Sequence, residues 1–379
     1  MNSKLPNVGT TIFSVMTQLA NEHNAINLSQ GFPDFQCPDE LMERVYFYMK
    51  QGKNQYAPMA GLPVLQQQIA DKIDNLYQLQ INAIDEVTIT SGATEALFCA
   101  IHTVIKPGDE VIIFDPSYDS YEPAILLAGG KAVHLPLIAP DYHIDWEAVK
   151  KSVNERTRMI IINNPHNPTG SVLTEDDMLQ LSIIVKVNDL FVLSDEVYEH
   201  IIFDRKFHQS VLRYPDLYQR CFAVFSFGKT YHVTGWKVGY CIAPPMLTSE
   251  FRKVHQFVTF DTATPLQYAL ADFMKSCPQH YLALPDFYQQ KRDLFCRLLI
   301  DSKFTLIPSQ GTFFQLLEYT AITTQDDVDF ARALTINQKV ASIPVSVFSM
   351  QPVREKYLRF CFAKDDATLV KAADILNQL

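Results

Sequence analysis

The chain has 379 residues, of which 47% are hydrophobic and 20% are charged, and its formal net charge is −10. This length and balance predict a folded protein with two domains, or one large domain with an appendage, and argue against a disordered chain. The acidic balance and the lack of any Lys/Arg-rich run argue against a nucleic-acid partner.

Membrane, disulfide and metal signals are all weak in this sequence. No apolar run approaches the roughly 18 to 20 residues that span a bilayer, and the first residues lack the apolar core of a signal peptide. The seven cysteines stand singly without a C-x-x-C pair, and the ten histidines show no H-E-x-x-H spacing. We therefore expect a cytoplasmic protein with no metal site and no membrane contact.

Five short apolar runs predict strands that are covered on both faces, as in a parallel sheet. They cover residues 86–90, 110–115, 158–163, 190–195 and 221–227. Helical patterns at 94–105 and 174–188 lie between them, and Thr174 with Asp177 forms a variant capping box at the start of the second. This alternation predicts a doubly wound α/β domain, in which ligands bind beyond the carboxyl ends of the strands.

The pattern changes near residue 270. A long helical stretch at 281–302 is followed by shorter mixed segments and a terminal helix, which together predict a smaller α+β domain. We expect an N-terminal arm (1–34) that contributes to the small domain and the substrate pocket, a large domain (35–270) and a small C-terminal domain (271–379).

Gly228, Lys229 and Thr230 follow the fifth apolar run and are compatible with two chemistries. They could end the phosphate loop G-x-x-x-x-G-K-[ST], but the first glycine of that motif is replaced by Ala223 inside the strand. The Walker-B-like "LFVLSDE" also precedes the lysine, and no G-x-G-x-x-G follows any strand. Alternatively, Lys229 is a covalent catalyst whose amine is made nucleophilic by partial burial.

A phosphorylated pyridine aldehyde would use that lysine and several of the other strand ends. In "SGATEA", Gly92, Ala93 and Thr94 begin a helix whose backbone amides favour a phosphate, although Thr94 could simply cap the helix. Asp195 ends a strand and could pair with a pyridinium, or could be a solvated strand end. Tyr118 could stack on a flat ring or pack against its neighbours.

With these motifs, from "LSQGFPDF" near residue 30 to "LRFCFA" near residue 360, the whole chain resembles a class I, fold-type I aminotransferase that uses pyridoxal 5′-phosphate. It is most similar to the methionine and glutamine/kynurenine aminotransferase branch. The resemblance implies an α/β PLP-transferase fold and a catalytic set of Lys229, which binds the cofactor covalently, Asp195, which pairs with the ring nitrogen, and Tyr198. The cofactor contacts that it implies are Tyr56, Gly92, Ala93, Thr94, Tyr118, Asn167, Asp195, Tyr198, Ser226, Lys229 and Lys237.

Two of these positions carry further implications. Lys237 stands where the commoner family pattern has arginine, so the positive charge is kept while the bidentate fork is lost. Tyr56 resembles the tyrosine that reaches the cofactor phosphate of a neighbouring subunit, which implies a homodimer with shared active sites.

The resemblance also implies how the substrate is bound. Arg359 matches the arginine that binds the α-carboxylate, although the motif alone would suggest a surface ion pair. Gly31 and Asn167 would contact the substrate as well. The segments expected to line the side-chain pocket contain no arginine and supply Ile12, Phe13, Phe32 and Tyr121.

We therefore expect ping-pong transfer of the amino group from an uncharged apolar, sulfur-containing or aromatic amino acid to a 2-oxo acid. Methionine leads by resemblance, and phenylalanine, histidine, glutamine and kynurenine follow. A kynurenine/glutamine aminotransferase with cysteine-conjugate β-lyase side activity is the alternative. A noncatalytic relative is disfavoured, because no cofactor position is missing from the sequence.

Overall fold

The computed structural model describes residues 2–352 and 356–379. Its strands form one large sheet and two small ones, and the helices cover them. The strands in chain order are β1 (Ile26–Asn27), β2 (Val87–Thr90), β3 (Glu110–Asp115), β4 (Lys131–Pro136), β5 (Thr157–Asn163), β6 (Phe191–Asp195), β7 (Cys221–Ser226), β8 (Gly239–Ile242), β9 (Phe314–Glu318), β10 (Val340–Ala341), β11 (Ile343–Pro344) and β12 (Tyr357–Cys361).

The α-helices precede, separate and follow these strands. They are α1 (Ile12–Glu22), α2 (Asp39–Lys50), α3 (Pro63–Tyr77), α4 (Ala83–Glu86), α5 (Ala93–Val104), α6 (Tyr121–Leu127), α7 (Trp146–Ser152), α8 (Glu175–Val187), α9 (Pro215–Tyr218), α10 (Phe227–Thr230), α11 (Pro245–Val258), α12 (Thr264–Ser276), α13 (Gln279–Leu282), α14 (Leu284–Leu298), α15 (Asp327–Gln338) and α16 (Asp366–Leu376). No helix in the described parts of the chain is long and apolar enough to cross a membrane.

The large sheet has seven strands in the order β2-β8-β7-β6-β5-β3-β4. The neighbours from β7 to β4 pair in parallel, whereas β8 is antiparallel to both β2 and β7. All five predicted strands are confirmed within about two residues at each end, and the α/β class is confirmed with them. Because β2 and β7 are both antiparallel to β8, the carboxyl ends of all five predicted strands lie at the same edge of the sheet.

Two strands of the sheet were not predicted, and each has a physical reason. β4 is an edge strand whose residues remain partly exposed, so its sequence is less apolar than that of the central strands. β8 has only four residues and follows soon after the short 3-10 helix Thr234–Trp236. Neither segment gives the long apolar run from which buried strands can be recognised.

The predicted helices are found with small changes. α5 and α8 correspond to the two predicted helices of the large domain, and the capping box at the start of α8 is present. In that box, the Asp177 amide donates to Thr174 Oγ1 at 3.2 Å, and the Thr174 amide donates to Asp177 Oδ2 at 2.7 Å. The long C-terminal stretch is split at Ala283, because Pro285 favours the first turn of a new helix, α14.

Two apolar clusters pack against the large sheet, and a third builds a second unit around the antiparallel sheet β11-β12-β9. Met16 of α1 and Leu28 belong to this third cluster, together with residues 281–376. In contrast, Phe273 and Met274 of α12 pack with the large sheet. Part of the predicted N-terminal arm therefore packs with the second unit, whereas α12 packs with the large sheet; the domain bounds themselves remain a prediction.

Candidate active site

A cavity of about 310 Å³ lies at the carboxyl-terminal edge of the large sheet, between it and the second unit. Loops that follow β2, β5, β6 and β7 reach it from one side, and α1, β9 and β12 reach it from the other. Most of the residues predicted for the site line this cavity; they are Phe13, Gly31, Gly92, Ala93, Thr94, Tyr118, Asn167, Asp195, Tyr198, Ser226, Lys229, Lys237 and Arg359.

Lys229 lies on the short helix α10, directly after β7. The side chain of Ser226 caps this helix by accepting a hydrogen bond from the Gly228 amide at 3.2 Å. The Lys229 Nζ donates to the backbone oxygen of Gly31 at 3.1 Å and lies 5.6 Å from the centre of the Tyr198 ring. Burial lowers the pKa of Lys229 to about 8, so far more of the amine is uncharged near neutral pH than in an ordinary lysine.

Asp195 ends β6 and is only 4% exposed, which excludes the interpretation of a solvated strand end. Its Oδ2 accepts a hydrogen bond from the Tyr121 hydroxyl at 2.7 Å, and its Oδ1 accepts one from the Val197 amide at 3.3 Å. Burial raises the pKa of Asp195 to about 6 in spite of these bonds. A buried carboxylate that lines a cavity is well placed to pair with a cationic group of a ligand.

The start of α5 forms one wall of the cavity. Gly92 is the N-cap, with φ +77°, and no side chain caps the helix, so Thr94 does not have the simple capping role. The backbone amides of the first turn therefore remain available to an anion. A Cβ on Gly92 would lie 3.1 Å from Cε of Lys237, so the Lys237 side chain packs directly against Gly92.

Two more of the predicted residues, Tyr198 and Tyr118, approach the cavity from neighbouring loops. Tyr198 is buried and its ring meets the Phe313 ring edge-on at 5.2 Å; burial raises the pKa of its hydroxyl well above the usual range. Burial also raises the pKa of Tyr118 to about 12. Both phenols are therefore protonated at neutral pH and act as neutral hydrogen-bonding groups.

Arg359 on β12 is fully buried. Its Nη1 donates to Asn167 Oδ1 at 2.8 Å, its Nη2 donates to the backbone oxygen of Ser29 at 2.9 Å, and its guanidinium carbon lies 3.8 Å from the centre of the Phe314 ring. Its Nε has no hydrogen-bond partner, and no carboxylate of residues 2–352 or 356–379 forms an ion pair with it. Burial lowers the pKa of Arg359 to about 10.

A buried guanidinium without a counter-ion is energetically costly, and the cost is reduced when an anion binds. The interpretation of Arg359 as a surface ion pair is therefore excluded. The planar donor face of Arg359 suits a carboxylate ligand.

Four predicted residues do not line this cavity. Tyr56 is 83% exposed and contacts the Phe260 ring at 5.7 Å, and Phe32 is 44% exposed beside Lys364. Ile12, at the start of α1, packs against the apolar cluster of the second unit.

Tyr121 is the fourth, and its expected place in the side-chain pocket is corrected. It lies behind Asp195, with its ring in an apolar cluster against the sheet. The physical reason is that α6 begins at Tyr121 and turns this side chain towards the sheet, away from the cavity.

Other lining residues were missed by the sequence reasoning. The Asn163 side chain accepts from the Asn167 amide at 2.7 Å and donates to the backbone oxygen of Asp195 at 2.9 Å, so it joins two strand-end loops. Phe314 stacks on Arg359, and a Cβ on Gly31 would lie only 2.8 Å from its ring. Asn163 could have been found, because it ends a predicted strand; Phe314 carries no such signal.

Comparisons with known proteins agree with this geometry. Residues 23–376 match the family model described as aminotransferase class I and II. The chain is 52% identical to a methionine aminotransferase of Escherichia coli K12, over all of this chain and 98% of that protein. It is 31% identical to a human kynurenine–oxoglutarate transaminase 3, over 99% of this chain and 89% of that protein.

A solved structure from Escherichia coli, described as having a methionine aminotransferase function, superposes with a TM-score of 0.98 at 51% identity. The match covers all of this chain and 99% of that one.

Proposed function

The chain belongs to the class I and II aminotransferase family, and from this membership we propose that it is a pyridoxal 5′-phosphate-dependent aminotransferase that acts on methionine and similar uncharged amino acids. The observation that carries the proposal is the pair formed by Arg359, a buried cation without a counter-ion, and Lys229, a lysine of lowered pKa, in one cavity. Together they supply a binding site for an α-carboxylate and an amine that can act on the neighbouring carbon.

The residues present fit this cofactor. The uncapped start of α5, together with Ser226 and Lys237, would hold the phosphate. The φ of +77° at Gly92 disfavours a residue with a Cβ at this wall, and such a Cβ would also crowd the Lys237 side chain. Asp195 would pair with the protonated ring nitrogen and Lys229 would bind the aldehyde carbon. When bound, the cofactor supplies an aldehyde that takes up the amino group and a cationic ring that accepts electrons from the substrate α-carbon.

The remaining steps belong to side chains of this protein. Arg359 would bind the substrate α-carboxylate and so orient the α-carbon towards Lys229, with Asn167 holding one guanidinium nitrogen in place. Once free of the cofactor, the Lys229 amine would remove the proton from the substrate α-carbon, and the resulting ammonium would donate a proton to the former aldehyde carbon. A pKa of about 8 suits this work, because the amine can both accept and donate a proton near neutral pH. Tyr198 and Asn167 would hydrogen-bond the phenolic oxygen of the ring, and Tyr118 would stack on it.

The lining of the cavity supports an uncharged substrate side chain. Its cations are Lys229, Lys237 and Arg359 among the described residues, and each already has a role. The apolar residues Phe13 and Leu97 contribute no group that would neutralise a second carboxylate. The likeness to a methionine aminotransferase supports methionine as the favoured donor, and the likeness to a kynurenine transaminase supports an aromatic donor as the second candidate.

We also propose a homodimer with shared active sites. Tyr56 and Phe257 are 83% and 85% exposed, and the α2 side chains Tyr46, Phe47 and Met49, which are close to Tyr56 in the sequence, are exposed as well. Large apolar side chains exposed in this number are typical of a surface that another protein covers. Tyr56 would then reach the cofactor phosphate of the other subunit.

The cytoplasmic location remains a prediction, supported by seven free cysteines.

An amino-donor screen with one fixed 2-oxo acid tests the substrate proposal. We expect the highest kcat/KM for methionine, lower values for phenylalanine, glutamine and kynurenine, and the lowest for aspartate, whose second carboxylate lacks a partner in the cavity. A preference for aspartate contradicts this reasoning. Release of pyruvate and ammonia from a cysteine conjugate, without consumption of the oxo acid, instead reveals β-lyase activity.

A further inference from the structure

Tyr121 makes a direct hydrogen bond to the carboxylate that faces the cavity. The residue is 3% exposed, at the start of α6, and its hydroxyl donates to Asp195 Oδ2 at 2.7 Å. The other bond to this carboxylate from the described residues is the longer one from the Val197 amide to Oδ1, at 3.3 Å. The hydrogen bond from Tyr121 is therefore the shorter of the two that fix the rotation of the Asp195 carboxylate.

The ring of Tyr121 is held on both sides. It belongs to the apolar cluster that packs α5 and α6 against the sheet, and it meets the Tyr118 ring at 5.7 Å and 74°. Burial raises the pKa of Tyr121 well above its usual range, so the hydroxyl keeps its proton and remains a donor. A donor fixed in this way costs little conformational entropy when the carboxylate becomes charged.

Several charged and titratable groups face Asp195. Burial raises its pKa, the Tyr121 hydroxyl and the Val197 amide oppose that rise by hydrogen bonding, Lys229 opposes it from α10, and the neighbouring Glu196 adds to it. Glu196 itself accepts hydrogen bonds from Ser194 at 2.8 Å and from the Val211 amide at 3.0 Å. Among the uncharged groups around Asp195, the Tyr121 hydroxyl has the strongest stabilising effect on its negative charge.

We propose that Tyr121 is a positioning residue for Asp195, whose hydroxyl orients the carboxylate towards the cavity and keeps its negative charge there, so that the ring nitrogen of the cofactor remains protonated. This inference rests on the proposed function, because Asp195 acts on that nitrogen only when pyridoxal phosphate is bound. Without the hydroxyl, the carboxylate becomes a stronger base and draws the shared proton away from the ring. Tyr121 would thus control the electron-accepting state of the cofactor without touching it.

The test is Tyr121→Phe, which removes one oxygen and keeps the ring. The holoenzyme is prepared with pyridoxal phosphate labelled with ¹⁵N at the ring nitrogen, and the ¹⁵N chemical shift is recorded from pH 6 upwards, to the pH at which the wild-type ring nitrogen loses its proton. We expect the pyridinium position in the wild type and a shift towards unprotonated pyridine in the variant. Titration of the apoenzyme should also show about tenfold weaker cofactor binding, the size expected for the loss of a hydrogen bond to a charged group.

Tyr218→Phe is the matched control. Tyr218 is also buried, and its hydroxyl donates to the Glu86 carboxylate at 2.5 Å, near the starts of β2 and β7 and thus at the opposite edge of the sheet. We expect this variant to keep the wild-type ¹⁵N shift. Thermal unfolding of both apo variants separates effects on stability from effects on the ring.

If Tyr121→Phe does not fold, replacing Tyr121 alone with 3-fluorotyrosine keeps the volume and makes the hydroxyl a stronger donor. The ring nitrogen should then hold its proton to a higher pH than in the wild type. The proposal is overturned if either Tyr121 variant has the ¹⁵N profile of the wild type and of Tyr218→Phe. A wild-type protein that gives no bound-cofactor resonance would contradict the proposed function instead.

Discussion

Replacing Arg359 with methionine should separate the function of this arginine from the stability of the fold. The side chain is fully buried, and no carboxylate in the described parts of the chain lies within ion-pair distance of it. Methionine has a similar length and no charge, so the substitution removes the carboxylate-binding group without leaving a large cavity. We expect the variant to lose about 2–5 kcal/mol of transition-state stabilisation with methionine as the substrate. This corresponds to a fall in kcat/KM of roughly thirtyfold to several thousandfold.

The effect on stability should be small, because two changes oppose each other. The variant loses the hydrogen bonds to Asn167 and to the backbone of Ser29, which cost about 1–3 kcal/mol each when an acceptor is left unsatisfied. It also removes an unpaired buried cation, whose desolvation costs several kcal/mol. The contact with Phe314 is replaced by a sulfur–aromatic contact of about 0.3–1.5 kcal/mol. We expect the free energy of unfolding of the apoenzyme to change by less than about 2 kcal/mol.

Arg292→Met is the matched control, because Arg292 is also buried but is fully paired. Its two terminal nitrogens donate to Asp204 at 2.7 and 2.8 Å, and it also donates to the backbone oxygen of Ser309. Since Asp204 is 46% exposed and can be rehydrated, we expect a loss of only about 2–3 kcal/mol in stability, with normal kcat/KM. Urea unfolding and steady-state kinetics measure both quantities. Near-normal kcat/KM in Arg359→Met would refute the assignment of Arg359 to the carboxylate.

Three further predictions concern the cofactor and the assembly. Lys229→Ala should lose the yellow colour of the bound cofactor. Borohydride reduction should add the cofactor mass to the wild type and to Lys237→Ala but not to Lys229→Ala. A covalent adduct in Lys229→Ala would show that another amine binds the cofactor. Because the uncharged amine is the nucleophile, the rate at which the apoenzyme captures pyridoxal phosphate on Lys229 should rise with pH, with a midpoint near 8; a midpoint near 10.5, the ordinary lysine value, would contradict the lowered pKa. Tyr56→Ala should weaken cofactor binding by about tenfold while the protein still sediments as a dimer, and an active wild-type monomer would refute the shared site.

Much of the fold follows from the sequence, because the central strands are buried on both faces and their apolar runs end in polar residues. That pattern predicted both the strands and the edge where Asp195 and Lys229 lie. The roles of individual site residues could not be predicted from the pattern of apolar runs alone. The resemblance to aminotransferases was required to assign Arg359, because nothing in "YLRFCFA" indicates that the arginine is buried without a counter-ion.

The features that were not predicted depend on contacts between distant segments. The bond from Tyr121 to Asp195 joins residues 74 positions apart and is set by how α6 packs on the sheet. Phe314 contacts Arg359 through the pairing of β9 with β12, which no local propensity encodes. Tyr56 cannot be assigned within one chain, since its proposed contact lies on another subunit.

The electrostatics of the cavity give an independent physical reason to place the chemistry there. The buried carboxylate of Glu199 is compensated by neighbouring groups. Burial alone would raise its pKa, but Lys72 and His200 bring the pKa of Glu199 well below its usual range.

Three groups that line the cavity have pKa shifts that disfavour their charged forms. Burial moves the pKa of Lys229 to about 8, of Asp195 to about 6 and of Arg359 to about 10, each against the charged form of the group. A fold tolerates such groups at the expense of stability when a ligand later compensates them. In the proposed complex, the ring nitrogen compensates Asp195, the aldehyde carbon takes the amine of Lys229, and the substrate carboxylate compensates Arg359. Binding of the cofactor and of a carboxylate substrate should therefore each stabilise the protein against unfolding.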